Sequence, residues 1–171
     1  RGASIETVMG EWTGYMTDVH SAAELFDIAA GSTIYRVFLL PGGLQVDLSF
    51  GPEGEWGSRG PRFHLLFGEA ETVPVGEAAS VAHLLGYAVH HLIRARVCIE
   101  RDRFWQAEHW LHEARDLAMT LACRRLGLEE AYGRGFDLLS ETIQNGYRAM
   151  VVAALDEHEL RRVLLLIASA L

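Results

Sequence analysis

Alternating hydrophobic and polar positions near residue 45 predict a β-hairpin. In the stretch "GGLQVDLSF" every second residue is apolar, which is typical of a half-buried strand that follows a tight turn. The apolar positions of this stretch are Leu44, Val46, Leu48 and Phe50. The β-branched and aromatic run "TIYRVFLL" predicts the preceding strand, and "PGG" at positions 41–43 supplies the turn between them. Asp47 lies in the middle of the second strand, where Asp is a poor strand former, so it is either an ordinary solvent-facing residue or a metal ligand.

The other N-terminal segments predict one helix and two further strands. Apolar residues at helical spacing predict a helix over residues 3–17, with Ser4 as its N-cap. The runs "ELFDIA" and "FHLLF" each predict a short strand. The Gly- and Pro-rich residues 51–62 predict an exposed loop.

The period of the pattern changes after Gly76 and becomes helical. One apolar stripe runs from Val81 to Ile99, a second from Phe104 to Ala122, and two further helices are predicted over residues 138–153 and 156–171. The stretch "TVPVG" at residues 72–76 predicts a boundary between domains at 1–75 and 76–171. The fold class expected is α/β (α+β), with a partial mixed sheet followed by an antiparallel helical bundle.

The amino-acid composition limits which binding partners and which catalytic residues this chain can have. The formal net charge of -8, with no basic stripe, argues against binding to nucleic acid or to an anionic membrane. All 15 basic residues are Arg, which excludes a catalytic lysine from these residues. Cys98 and Cys123 are isolated within apolar helical patterns, so buried free thiols are expected. No run reaches transmembrane length and no signal peptide is evident, so we expect a cytoplasmic protein.

The helical half contains one short cluster with the chemistry of metal ligands. His109, His112 and Asp116 lie at helical spacing on one face. This pattern fits a zinc or iron site, but it is short and common, and a polar seam against the neighbouring helix is the favoured interpretation.

Charged residues on the same helix offer a second candidate site. Glu108, His112 and Arg115 share a face, where pairing within the helix on a solvated side is one interpretation. In the other interpretation Arg115 contacts phosphate oxygens of a nucleotide as a charge-assisted donor. The Glu108 carboxylate would then act as a catalytic base or hold a substrate amine or hydroxyl.

The order of elements and the helical motifs together resemble a known superfamily. The helical half carries "WQAEHW", "RD" and "YGRGFD" after the strand "LQVDLSF". From Ala3 onward the chain resembles the nucleotidyltransferase superfamily that includes the aminoglycoside and lincosamide adenylyltransferases. The resemblance implies transfer of a nucleoside monophosphate, AMP from ATP, to a hydroxyl of a small molecule.

The resemblance also implies a metal site with Asp47 as one of its ligands. Members of the superfamily hold two Mg²⁺ ions with three carboxylates, and Asp47 in "QVDLSF" matches the third of them. The first two belong to a Gly-Ser…Asp-x-Asp motif that these 171 residues lack. That motif is expected to lie upstream of Arg1 or to have been lost, and the 171 residues alone are expected to be inactive.

Two other functions remain open at this point. One is a catalytically inactive relative that acts as a nucleotide-binding or protein-interaction module. The other is the helical partner of a toxin–antitoxin nucleotidyltransferase pair, although the R-x-x-x-x-H motif of such partners is not evident. The apolar C-terminal "RRVLLLIASAL" is interpreted as core, with a homodimer interface as the alternative.

Overall fold

A computed structural model describes residues 4–55, 57–58, 62–72 and 77–171. The chain divides into two compact units, Arg1–Gly76 and Glu77–Leu171, and each is described by itself below. Residues 73–76 of "TVPVG", where the boundary was predicted, lie outside the described residues.

The first unit begins with helix α1, Ile5–His20. The Ser4 side chain caps it by accepting a hydrogen bond from the backbone N–H of Thr7, as the sequence predicts. The helix runs three residues beyond the predicted end at Thr17 and stops where Ser21 adopts a left-handed conformation with φ 51°.

Three strands follow and form an antiparallel sheet in the order β1-β2-β3. They span Ala23–Ala30, Thr33–Leu39 and Gln45–Phe50. Short turns join both pairs, and such turns connect only antiparallel neighbours. The prediction of a mixed sheet is therefore wrong for this sheet, whereas the coarser prediction of an α+β chain is confirmed. Parallel pairing occurs only between two-residue strands, β4 at Gly57–Ser58 and β5 at Glu71–Thr72, in the part of the chain that the structure describes.

The predicted strand "FHLLF" is also wrong, because residues 63–67 form no strand. The segment is apolar without alternation, and three of its side chains are strongly exposed: Leu65 at 48%, Leu66 at 87% and Phe67 at 75%. Apolar character alone does not make a strand, which needs a backbone partner for its N–H and C=O groups.

One face of the sheet packs against α1. Phe38 is fully buried there with Met16 of the helix, and Val46 and Leu48 pack around them. Arg36 lies on the same face, donates two hydrogen bonds to the Asp27 carboxylate at 2.8 and 2.7 Å, and reaches the Thr13 hydroxyl of α1 at 2.9 Å. The helix is thus fixed to the sheet by apolar packing and by one guanidinium group.

The second unit contains four α-helices within the described residues. They are α2 at Val81–Ile99, α3 at Phe104–Arg125, α4 at Glu141–Arg148 and α5 at Glu157–Ala170. The core lies between α2, α3 and α5, where Ile99, Leu111, Leu160 and Ile167 are almost completely buried. Both cysteines are buried free thiols, as predicted.

Helix α4 is shorter than the 138–153 predicted for it. The chain before it forms 3₁₀ turns at Ala131–Gly133 and Phe136–Leu138, and Ser140 sits at the N-cap position. No helix in the described ranges combines the length and apolar character needed to span a membrane.

Candidate functional site

Asp47 lies on β3, pointing away from the face that packs against α1. Its neighbours Val46 and Leu48 point into the α1 interface, so the period-two geometry of the strand directs Asp47 to the opposite face, where Asp47 is exposed. The side-chain amide of Gln45 donates to both carboxylate oxygens, at 2.9 and 3.2 Å. A rigid strand and a neutral donor therefore orient this carboxylate, while no arginine neutralises it among the described residues.

A cavity of about 420 Å³ lies beside Asp47 in the first unit. Aromatic side chains form much of its wall, and Ser49 and His64 add polar groups. The aromatic residues are Trp12, Phe50, Phe63 and Phe67. The sequence did not predict this aromatic wall beside Asp47, because "FHLLF" has the pattern of a strand and nothing in that pattern indicates that it lies beside β3.

The described residues around Asp47 do not complete a two-magnesium site. Carboxylate oxygen suits Mg²⁺, and the exposed Asp47 side chain is accessible to serve as one ligand. Within the described parts of the chain, however, no three His, Cys, Asp or Glu side chains come close enough to share a metal ion. Asp47 therefore fits one position of such a site, and no catalytic step through Mg²⁺ is derived from these residues.

Arg115 and Glu108, both on α3 in the second unit, have different surroundings. The Arg115 guanidinium contacts His112 Nδ1 and lies 3.8 Å from an Asp116 carboxylate oxygen. This geometry supports the interpretation of pairing within the helix. Glu108 is half-buried and makes no hydrogen bond or ion pair within the described residues, so its carboxylate is uncommitted.

The histidine cluster proposed as a zinc or iron site does not form one. His112 Nε2 lies 3.5 Å from an Asp116 carboxylate oxygen, and both side chains are 47% exposed, so the pair faces solvent and forms no buried seam. His109 instead contacts the Trp110 ring, with 4.7 Å between ring centroids. The helical spacing was correct, but only His112 and Asp116 pair with each other, whereas His109 contacts Trp110.

An aromatic cluster between α2 and α3 escaped the sequence analysis. The ring of His91 stacks on Trp110 with 5.1 Å between centroids and 20° between planes, and the Arg94 guanidinium lies 4.6 Å from the Trp110 ring centre. Burial lowers the pKa of His91, and the nearby charges of His90, Arg94 and His109 lower it further, whereas Glu113 opposes them. Its Nδ1 atom is buried and has no hydrogen-bond partner among the residues that the structure describes. The neutral ring therefore acts as a packing element.

Comparison with known proteins adds no relative: no protein-family model, curated protein or solved structure matches this chain.

Proposed function

We propose that this chain belongs to a metal-dependent nucleotidyltransferase that transfers AMP from ATP to a hydroxyl of a small molecule. The observation that carries the proposal is the placement of Asp47. It is an exposed carboxylate in the middle of a strand, oriented by Gln45, at the wall of a cavity large enough for a small molecule. The order of elements and the helical motifs supply the reaction class through the resemblance described above.

The proposal assigns distinct roles to the residues that the sequence singled out. Asp47 supplies one of the carboxylates that such chemistry requires. Glu108 has the uncommitted carboxylate that a base needs. Arg115 would have to exchange its contacts with His112 and Asp116 for phosphate oxygens, so it is the weakest of the three assignments.

The experiment is adenylyl transfer by the protein encoded by the complete gene, with Mg²⁺, ATP and a panel of hydroxyl acceptors. We expect Asp47→Asn to abolish formation of the adenylylated product and of pyrophosphate, because the isosteric amide cannot supply the charged ligand. Asp18→Asn is the matched control, since Asp18 is an exposed carboxylate of α1 that does not line the cavity. Full activity of the Asp47→Asn protein would disprove the assignment.

A second candidate is a non-catalytic binding module. The face of the sheet opposite α1 favours it, because Phe26 and Ile28 of β1 and Tyr35 of β2 remain 55%, 51% and 37% exposed. This alternative predicts no transfer to any acceptor and little change in melting temperature with magnesium and ATP. An increase in melting temperature that Asp47→Asn removes would support the enzyme instead.

A further inference from the structure

A second cavity, of about 370 Å³, lies wholly within the helical unit at the end where α2 begins and α3 ends. Most of its lining residues are apolar, and they come from α2, α3, α4 and the end of α5. Ala118, Leu121 and Ala122 form one continuous face of α3 along it, and Leu85 of α2 and Tyr147 of α4 flank that face. Cavities of this size commonly accommodate small organic molecules.

The only charged side chains that line this cavity in the described chain belong to two arginines, Arg124 and Arg125. Arg124 is already engaged, because it donates to the Glu130 carboxylate and to the backbone carbonyl of Ala79. Arg125 makes no hydrogen bond or ion pair within the described residues. In a chain of net charge -8, an unpaired guanidinium group beside an apolar cavity is a local reversal of sign.

Arg125 is exposed and lines the same cavity as Tyr147 of α4. The Tyr147 hydroxyl donates to the Ala118 carbonyl at 2.9 Å and is buried. Burial raises the pKa of this phenol, and the positive charge of Arg125 opposes the rise, so the two side chains interact electrostatically.

We infer that this cavity binds an amphiphilic carboxylate, with its anionic group on Arg125 and its apolar body along the α3 face of Ala118, Leu121 and Ala122. Guanidinium geometry suits a carboxylate, and the apolar side chains along α3 suit an alkyl body. The inference is independent of the nucleotidyltransferase proposal, since it uses only residues of the helical unit.

Decanoate is a direct probe, titrated calorimetrically into the full chain at concentrations below those at which it forms micelles. We expect saturable binding of one decanoate, and affinity weaker by about tenfold or more for decyltrimethylammonium, which has the same tail with the opposite charge. Arg125→Gln should weaken decanoate binding by about tenfold or more, because it removes a charge-assisted hydrogen bond. Ala122→Phe should weaken both ligands by filling the cavity.

Arg101→Gln is the matched control, because Arg101 is an exposed arginine in the turn between α2 and α3 and does not line the cavity. It should leave the affinity for decanoate unchanged. Absence of saturable decanoate binding to the wild-type chain would overturn the inference. Equal affinity of wild type and Arg125→Gln for decanoate, or equal binding of the anionic and cationic probes, would also overturn it.

Discussion

Gly135, in the "YGRGFD" stretch, is the glycine whose replacement has the clearest structural consequence. A Cβ atom at this position would lie 2.2 Å from the backbone carbonyl oxygen of Glu129, and 3.1 Å from both Cys123 Sγ and Leu128 Cβ. Its backbone φ is -89°, so the constraint is lack of space and not conformation. We therefore predict that Gly135→Ala destabilises the helical unit.

The magnitude follows from what has to move. Lengthening the 2.2 Å contact to 3.0 Å, the shortest that real Cβ atoms make, requires a shift of 0.8 Å. The neighbour is a backbone atom, and Cys123 is fully buried in the core, so the strain cannot be relieved by turning a flexible side chain. Overpacking of this kind costs about 1–3 kcal/mol, and we expect a value near the upper end, about 3 kcal/mol. For a unit of this size that corresponds to a fall in melting temperature of about 12–24 °C.

Gly86→Ala is the matched control for this experiment. Gly86 lies in the interior of α2, is exposed, and has no heavy atom near the position of a Cβ. The same chemical change should raise stability there by about 0.5–1 kcal/mol, because alanine loses less backbone entropy in a helix than glycine.

Thermal unfolding followed by circular dichroism measures both variants, and urea unfolding provides the free energies. An unchanged or higher melting temperature of Gly135→Ala, beside a stabilised Gly86→Ala, would refute the close approach of residues 129 and 135. A destabilised Gly86→Ala would instead show that α2 differs from the structure described here.

Three further predictions concern the core and two titrating groups. Leu111→Ala, at a side chain 1% exposed in the centre of α3, should cost about 2–5 kcal/mol in the free energy of unfolding measured with urea. The pKa of His91 is lowered in the folded state, so the contribution of this histidine to stability is present above its unfolded pKa of about 6.5 and is lost as the pH falls below that value. The variant His91→Phe keeps the stacking on Trp110 and should therefore make the melting temperature less dependent on pH between about 7.5 and 5.5. A hydrogen bond from Arg162, and to a smaller extent one from the Ala153 backbone, lower the pKa of Glu159 to about 2. Glu159→Gln should therefore lower stability above the unfolded pKa of 4.5, and the stability of the variant should fall less than that of the wild type as the pH is lowered towards 2.

The hairpin and the two long helices could be predicted because their determinants are local. "PGG" leads to a turn in which Gly42 and Gly43 have φ values of 92° and 87°, a conformation that other residues rarely adopt. The apolar stripes of α2 and α3 identify the buried faces directly, as Leu92, Ala95 and Ile99 show. These features need only the chain within a few residues of each position.

The features that could not be predicted depend on contacts between distant segments. The position of "FHLLF" beside Asp47 and the stacking of His91 on Trp110 require the three-dimensional arrangement of their elements. Pairing of Arg115 within its own helix was one of two interpretations that the sequence allowed, and only the geometry, which shows contacts to His112 and Asp116, distinguishes between them. The local sequence pattern shows which residues share a face of a helix. Which partner each of those residues contacts is determined by the tertiary structure.

The motifs that carry the resemblance fall into two classes when their packing is considered. Ala107 is fully buried, Trp110 stacks on the His91 ring, and Gly135 lies too close to the Glu129 carbonyl oxygen for a side chain to fit. Each therefore has a structural reason to be present. Trp105 and Glu108 have no such reason, because the indole is 77% exposed and the carboxylate has no partner among the described residues. They are three positions apart on α3 and share a face. Neither the exposed ring nor the uncommitted carboxylate has a packing role that explains its presence, so this pair is the part of the helical motifs where function is to be sought.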